Sequence, residues 1–500
     1  MPGSPPAPSL SLASTATPAV RGWLAVASLL AVAAPFVCVH FLPVTDLPQH
    51  LAQVRLLVDA ITSANGAYRV QWDTPYSFVY LPLSAAWAIF EPLTAGRVGM
   101  LTLGLLWTLA AHGLAAERWR APESAVLVSI VFFNHAVYWG FLSFVCGWPV
   151  FVVWLLLIIR RPDDVRPRHL SILLLTAAVL YASHVLWLVA AVVWLVVHGL
   201  IARVPRRALL LQVASVMPVL VALALWYPRL QTFSGPTEWL STPTGRLSYG
   251  WLVDSTFGGI AGPTEIAVGA ALLLWVGAGV WQHRSTLRSA CDPQLLLAGA
   301  LLGAAAFFLP TLYSNTFHFG ERWWPPAAIL LILAAPAPRL RPRLARLAVI
   351  AVVAGFSLTT ALTWRQFERE DLAGLSEALA TLPEHARVVG LDYLQTSRLT
   401  KGRPFLQTFA YAQALKGGEL NFSFAEFAPS LVVYRAPRRT PWNRGIEWDA
   451  ARMRADDLRY FDYALVNGDD PLHQALAANS RLRRRTSSGR WRLYQVEASP

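Results

Sequence analysis

The chain has 500 residues, of which 55% are hydrophobic and only 14% are charged. This composition excludes an ordinary soluble protein and indicates a polytopic membrane protein with membrane lipids around it. A net charge of +13 would suggest nucleic-acid binding in a soluble protein, but here arginines in cytoplasmic loops explain it, so no nucleic-acid partner is expected. The three cysteines lie too far apart to predict a disulfide framework or a metal site.

The chain begins with an uncharged stretch, residues 1–20, whose Pro, Ser, Ala and Thr predict a disordered cytoplasmic tail. The apolar run Trp23–Pro43 is long enough to cross a bilayer and predicts a retained anchor. Arginine clusters after later apolar runs orient the chain by the positive-inside rule, with the N-terminus in the cytoplasm. The expected spanning helices, about eleven, are residues 23–43, 98–116, 123–136, 142–160, 170–182, 184–202, 207–226, 264–282, 294–312, 324–338 and 345–364.

The first outer loop, residues 44–97, contains one ambiguous apolar stretch, Tyr76–Leu93, which is interrupted by Pro82 and Pro92. If this stretch crossed the membrane, every later arginine cluster would face outward. We therefore predict that it is an interfacial or re-entrant helix. The membrane domain as a whole is expected to cover residues 21–364.

Charged residues become more frequent after Trp364, and the apolar residues there occur in short runs. Residues 386–391, 461–466 and 490–496 predict strands, and residues 372–382 and 471–478 predict helices. Residues 365–500 should therefore form a small α/β domain outside the cytoplasm. It has no glycine-rich phosphate loop and no nucleophile elbow, so a lid or docking role without chemistry is the favoured interpretation.

The stretch Thr45–Arg55 organises the functional prediction because it follows the first predicted span directly. Pro48 suits a first helical turn, so Asp46 and His50 should lie on one face of an interfacial helix. A charged group at the membrane boundary suggests a function. The alternative is that Asp46 only caps the helix.

The predicted topology collects further polar groups at the outer face. They are Arg55, Asp73 and Arg97 in the first loop, His135 and His184 at hairpin tips, and His318, Glu321 and Arg322 in a late loop. Three of them have a simpler alternative: Arg322 as an interfacial anchor, His184 as a core histidine and Asp73 as a turn residue. The sequence shows no metal-binding pattern and no ATP-binding loop, so no metal and no cofactor are expected.

These features together resemble the GT-C superfamily of membrane glycosyltransferases, and in particular its bacterial glycosyltransferase-39-like members. Asp46 in Thr-Asp-Leu-Pro-Gln-His matches the acidic residue at the start of the first outer loop of that superfamily. The segments Tyr80–Leu83 and Phe90–Pro92, followed by Arg97, are similar to its juxtamembrane helix and following arginine. The chain departs from better-known branches in having Asp46-Leu47 where two adjacent acids often stand.

The resemblance implies an all-α membrane domain with an extracytoplasmic α/β domain, in the bacterial cytoplasmic (inner) membrane. It also implies inverting transfer of a sugar from a polyprenyl-phosphate-linked donor to a glycan, lipid or protein acceptor at the outer face. Asp46 would be the catalytic base, and Arg322 with His318 or Arg97 would bind the phosphate. The other residues expected to contact substrate are His50, Arg55, Asp73, His184 and Glu321.

The residues also leave two other classes of function open. One is a transporter or flippase for a lipid-linked sugar, although the two halves show no convincing internal repeat. The other is a non-catalytic assembly protein that keeps the architecture without the chemistry.

Overall fold

A computed structural model of the chain describes residues 16–62, 66–233, 235–314, 316–436, 438 and 440–497. Most of the predicted N-terminal tail lies outside these residues. Its last part, from Pro18, is already helical, because Thr17 caps the first helix through its hydroxyl, which accepts from the Val20 N–H at 3.4 Å.

The described part of the chain is mainly helical in its first three quarters. The helices there are α1 (Pro18–Val37), α2 (Leu47–Thr62), α3 (Tyr80–Trp87), α4 (Pro92–Glu117), α5 (Pro122–Ser129), α6 (His135–Trp139), α7 (Leu142–Arg160), α8 (Pro167–Ser183), α9 (Val185–Ile201), α10 (Arg206–Trp226), α11 (Tyr249–Thr256), α12 (Thr264–Gln282), α13 (Leu287–Ala290), α14 (Pro293–Phe308), α15 (Trp324–Ala334) and α16 (Pro342–Glu370). The short strands among them are β1 (Tyr68–Val70), β2 (Thr237–Glu238) and β3 (Leu312–Tyr313).

Six of the described helices are long and apolar enough to cross a membrane, and a seventh span results if the bent pair α13–α14 counts as one. The expected number of eleven is therefore not confirmed. The positions agree better than the number: α7 and α12 match the predicted ranges, and α8 and α9 form the predicted hairpin with its tip at His184.

Two predicted spans are wrong as single crossings. In 123–136 the chain forms the eight-residue α5, a 3₁₀ turn and the start of α6, and in 324–338 it forms the eleven-residue α15. Eleven residues extend about 17 Å, well short of the roughly 30 Å hydrocarbon layer. Every residue of α5 and most of α15 are buried within the protein. Their apolar character reflects contact with other helices, which composition cannot distinguish from contact with lipid.

The ambiguous stretch 76–93 contains only the eight-residue α3, which spans about 12 Å and ends before Glu91 caps α4. The α3 helix is too short to cross a bilayer by itself. Its location at the interface stays a prediction. The α3 helix lies against α4, where Leu83 contacts Gly99 closely.

The C-terminal part is the predicted α/β unit. It contains α17 (Leu375–Thr381), β4 (Arg387–Asp392), α18 (Tyr411–Lys416), β5 (Glu419–Leu420), β6 (Val432–Tyr434), β7 (Tyr463–Asn467), α19 (Asp470–Ala477), β8 (Leu482–Arg484) and β9 (Trp491–Val496). Five strands form one sheet in the order β5-β4-β7-β9-β8, with β4 parallel to β5 and β7 and with β9 antiparallel to both of its neighbours. All five predicted elements are present, shifted by at most a few residues.

The C-terminal unit is fastened to α2 by two fully buried glutamines. The Gln53 side chain donates to the Val432 carbonyl at 3.0 Å and accepts from the Val432 N–H at 2.9 Å. One turn earlier, Gln49 donates to Gln407 at 2.8 Å and accepts from the Phe424 N–H at 3.0 Å. Strand β6 also pairs with β1 of the first outer loop. The first outer loop and the C-terminal unit therefore form one structural body.

We expect Gln53→Ala to lower the free energy of unfolding by about 1–3 kcal/mol for each Val432 backbone group left unpaired. The melting temperature of the purified protein in detergent measures this. Gln366→Ala, at an exposed position of α16, is the matched control. Equal melting temperatures for the two variants would contradict the fastening role of Gln53.

Candidate active site at the start of helix α2

The loop between α1 and α2 holds Asp46 against the turn that follows α6. The Thr45 N–H donates to the Tyr138 carbonyl at 2.8 Å, and the Asp46 N–H donates to the Trp139 carbonyl at 3.2 Å. Gly140, which ends α6 in the left-handed conformation with φ of +85°, faces Asp46 directly. A Cβ atom there would lie 2.7 Å from the Asp46 Cβ, so only glycine permits this approach.

The Asp46 carboxylate itself is unengaged. Among the residues that the structure describes, none donates a hydrogen bond to it, and none forms an ion pair with it. The residue is only partly exposed. Burial raises the pKa of the Asp46 carboxyl to about 7, which suits a group that accepts a proton near neutral pH. Because no described backbone N–H donates to the Asp46 carboxylate, its side chain does not cap α2.

His50 holds the turn at Gly140 against the start of α2. Its Nε2 lies 3.1 Å from the Gly140 carbonyl and its Nδ1 lies 3.0 Å from the Tyr80 hydroxyl. Since a carbonyl only accepts, Nε2 carries the hydrogen and Nδ1 accepts from Tyr80. Burial lowers the pKa of His50 to about 4, so the ring is neutral. His50 therefore positions Asp46 and leaves neither ring nitrogen for a substrate.

Arg322 is a buried cation without a carboxylate partner. Its guanidinium donates to the His318 carbonyl at 3.0 Å and to the Phe317 carbonyl at 2.5 Å, and it lies 4.3 Å from the Phe141 ring centroid. The residue is 2% exposed, and no described carboxylate lies within ion-pair distance. Burial lowers the pKa of Arg322 to about 10, so the charge persists at neutral pH. Such a group is suited to binding an anion.

One short segment, Trp139–Phe141, connects the two charged groups. Its first two residues contact Asp46, as described above, and the Phe141 ring lies under Arg322. The Trp139 ring is 5.0 Å from the His318 ring and stacks at 6.3 Å and 7° on Phe317. The structure thus brings Asp46, His318 and Arg322 around one three-residue segment.

His184 is also brought to Arg322. Its ring packs 4.8 Å from Tyr76 and 5.6 Å from Phe144, and Phe144 lies 5.6 Å from the Arg322 guanidinium. The His184 Nδ1 accepts from the Leu186 N–H at 3.2 Å, so the neutral ring carries its hydrogen on Nε2. His184 therefore carries an N–H donor, and Phe144 contacts both its ring and the arginine. The pKa of the nearby His318 falls to about 4, because that ring is buried and faces Arg322.

Four other predicted substrate contacts have scaffold partners instead. Arg55 pairs with Asp59 at 3.2 Å, and the exposed Asp73 pairs with Arg229 at 2.8 Å. The remaining two are Arg97, which donates to the Val39 carbonyl at 3.0 Å, and Glu321, which accepts from Thr311 at 2.7 Å and lies 3.5 Å from Arg246. These contacts join the four residues to the scaffold, and nothing in them points toward Asp46. Charge and loop position alone could not separate these residues from Arg322.

The C-terminal unit contributes residues to the site that the sequence did not reveal. The Thr45 hydroxyl donates to the Arg403 carbonyl at 3.3 Å, and the Arg403 guanidinium lies over Trp448 at 5.5 Å. The Trp448 ring is in turn 5.5 Å from Phe317. These residues belong to loops without a recognisable motif, so only their position relative to Asp46 identifies them. Within the described residues, no group of three or more His, Cys, Asp or Glu side chains could hold a metal ion.

We expect Gly140→Ala to destabilise the protein, because the left-handed backbone costs other residues about 1–2 kcal/mol and the new Cβ would collide with Asp46. Thermal unfolding in detergent measures the change. Gly355→Ala is the control, since a Cβ there meets no atom within 4 Å. A Gly140→Ala variant as stable as the control would show that the Asp46 loop tolerates displacement.

No family model matches the sequence, and no curated protein matches it. Solved structures do match in three dimensions. ArnT from Cupriavidus metallidurans bound to undecaprenyl phosphate has a TM-score of 0.54 at 12% identity, covering 96% of this chain and 99% of that chain. Its apo state has a TM-score of 0.53 at 12% identity, covering 95% and 98%.

The arabinofuranosyltransferase AftD from Mycobacteria has a TM-score of 0.52 at 16% identity, covering 97% of this chain. This chain spans only 40% of the length of AftD. At these identities the similarity concerns the fold. The chain has the GT-C-like fold that its sequence resemblance predicted.

Proposed function

We propose that this chain is an inverting glycosyltransferase that moves a sugar from a polyprenyl-phosphate donor to an acceptor hydroxyl. The proposal rests on two charged groups that have no ion-pair partner among the described residues. They are the Asp46 carboxylate and the Arg322 guanidinium, which lie on either side of Trp139–Phe141. Proton acceptance and phosphate binding are the two tasks that such a transfer requires.

In the proposed reaction, the acceptor hydroxyl transfers its proton to Asp46 as its oxygen attacks the anomeric carbon. The bond from that carbon to the phosphate oxygen breaks on the opposite face of the sugar, which inverts the configuration. The electron pair of this bond leaves with the lipid phosphate. Arg322 and the Nε2–H of His184 are suited to stabilise the charge that develops on that phosphate.

The lipid character of the donor is supported by the fold and by the protein surface. One of the similar structures, ArnT, is bound to undecaprenyl phosphate. In this chain α10 exposes large apolar side chains, among them Leu210, Met217 and Leu225, as expected of a helix in lipid. The proposed setting is the bacterial cytoplasmic membrane, with the N-terminus in the cytoplasm and residues 365–500 on the outer side.

We expect Asp46→Asn to lower the rate of sugar transfer by about 10²–10⁴-fold, because it removes the base and keeps the shape. For the wild type, the rate should rise with pH through about 7, since Asp46 must be unprotonated and burial raises its pKa to that value. Transfer from a radiolabelled polyprenyl-phosphate sugar to a membrane acceptor fraction provides the measurement.

The matched control is Asp163→Asn, an exposed carboxylate in another loop, which should leave the rate unchanged. An Asp46→Asn enzyme with wild-type activity at equal protein level would refute the base and favour a non-catalytic assembly role. Movement of an intact lipid-linked sugar across the membrane without transfer would instead indicate a flippase.

We expect Arg322→Gln to weaken donor binding by roughly 10–100-fold, since a hydrogen bond to a charged group contributes about 1.5–3 kcal/mol. The KM for the donor, or competition by free undecaprenyl phosphate, measures this. Arg168→Gln, at an exposed position, is the control. Unchanged donor binding in Arg322→Gln, with a folded protein, would mean that the guanidinium serves as an anchor only.

A further inference from the structure

An apolar groove lies between α12, α16 and the loop that precedes α16. Every residue that lines its cavity of about 270 Å³ is apolar, and the Trp275 N–H donates to the Ser124 hydroxyl at 3.0 Å. The groove opens to the outside of the helical bundle, because Leu274 and Leu340 of its lining are 72% and 41% exposed. We call it the α12–α16 groove.

The groove lies at the ends of α12 and α16 that are opposite to the candidate active site. At the active-site end, Glu265 in the first turn of α12 binds Lys401 of the C-terminal unit at 2.8 Å. Glu368 in the last turn of α16 accepts from the Phe41 N–H at 3.0 Å. Val352 is the deepest groove residue on α16, and it precedes Glu368 by 16 residues, or about 24 Å along the helix. The groove is therefore not a part of the candidate active site.

The depth of the groove corresponds to one leaflet of a bilayer. Both α12 and α16 are long and apolar enough to cross a membrane. Val352 lies ten residues, or about 15 Å, from the start of α16 at Pro342. On α12 the groove extends to Ala271, eleven residues or about 17 Å from the end of that helix at Gln282. Since the hydrocarbon core is roughly 30 Å thick, an acyl chain of one leaflet matches the groove in depth and in polarity.

Two arginines lie at the mouth of the groove, in the loop before α16. Arg339 and Arg341 flank the groove residue Leu340 in the sequence. The Arg339 N–H donates to the side chain of Gln282 at the end of α12, so the loop and this end of the helix are in contact.

A third arginine reaches the same mouth from α12. Arg284 lies over the Trp281 ring, 4.8 Å from its centroid. Trp281 is 68% exposed and follows Leu274 by two helical turns, so it lies on the open face of the groove. An exposed tryptophan at the end of a membrane helix is typical of the head-group level. We call Arg284, Arg339 and Arg341 the basic rim.

The basic rim carries positive charge that the protein does not compensate. Its three arginines are exposed, and none of them has an ion-pair partner among the described residues. The acidic residue in the loop after α12, Asp292, pairs with Arg118 at 2.8 Å. Arginines in such loops also follow from membrane topology, but these border an apolar groove that opens toward lipid. Such a rim attracts the phosphate of an anionic lipid and repels the ammonium group of a zwitterionic lipid.

We propose that the α12–α16 groove binds an anionic phospholipid, with an acyl chain in the groove and the phosphate on the basic rim. In the orientation proposed above, this lipid belongs to the cytoplasmic leaflet. The proposal goes beyond sugar transfer and does not depend on it, because binding at the groove involves neither Asp46 nor Arg322.

The test of the rim uses the full-length protein, purified from mixed phosphatidylglycerol and phosphatidylcholine vesicles and examined by native mass spectrometry. We expect the wild type to retain phosphatidylglycerol in preference. The triple variant Arg284→Gln/Arg339→Gln/Arg341→Gln should weaken this binding by roughly 100-fold, since each arginine near an anionic membrane surface contributes about fivefold. The matched control is Arg203→Gln/Arg206→Gln/Arg207→Gln, which removes the same charge from the exposed loop before α10 and should bind as the wild type does.

The test of the groove is Ala348→Phe. Ala348 lines the groove and is exposed, so a phenyl ring there occupies part of the cavity without entering the core. We expect this variant to retain less phosphatidylglycerol, whereas Leu347→Phe, at an exposed position outside the groove lining, should retain as much as the wild type. Melting temperatures in detergent establish that each variant is folded, and Arg339→Gln/Arg341→Gln replaces the triple variant if that one is not.

Four results would each overturn the assignment. They are equal retention of the two lipids by the wild type, equal weakening by the two triple variants, undiminished retention by Ala348→Phe, and displacement of the lipid by an equal concentration of glycerol phosphate. The last of these would indicate a site for a phosphate group alone, since glycerol phosphate has the charge of the head group but no acyl chain.

Discussion

The structure depends on how α2 is held. On one side Gln49 and Gln53 bind backbone groups of the C-terminal unit, and on the other side His50 binds the Gly140 carbonyl. All three side chains are buried, so each contact satisfies backbone groups that would otherwise be left unpaired at a cost of about 1–3 kcal/mol each. Because α2 is fixed on both sides, the residue before it, Asp46, has a defined position without using its own carboxylate.

Two charges remain uncompensated near this helix, and both are costly for stability. The Asp46 carboxyl responds to burial by a raised pKa, so it exchanges a proton near neutral pH. Arg322 remains charged and is stabilised by carbonyl oxygens and by the Phe141 and Phe144 rings. Replacing such groups by apolar ones is often stabilising in proteins, so their presence in the interior suggests a functional reason. The neighbouring Glu321 shows the usual pattern, since it accepts from Thr311 and lies beside Arg246.

The C-terminal unit is a part of the site and not only a cover. Lys401 binds the fully buried Glu265 at 2.8 Å and Asp254 at 2.6 Å, which joins the unit to α11 and α12. The following residues contact Thr45 and Trp139, and Trp448 extends the aromatic wall beyond Phe317. Residues from three distant parts of the chain therefore meet at Asp46. The predicted lid or docking role of the unit leaves out these contributions.

Local pattern was sufficient to predict the membrane character, the helix after Pro48, the short α3, and the strands and helices of the C-terminal unit, because each depends on near neighbours and on hydrophobic periodicity. Local pattern could not predict the number of spans, because the apolar side chains of α5 and α15 contact other parts of the protein and not lipid. Nor could it separate Arg322 from Arg55, because the difference lies in whether a carboxylate partner is present in space. The approach of Gly140 to Asp46 likewise arises only when distant segments come together.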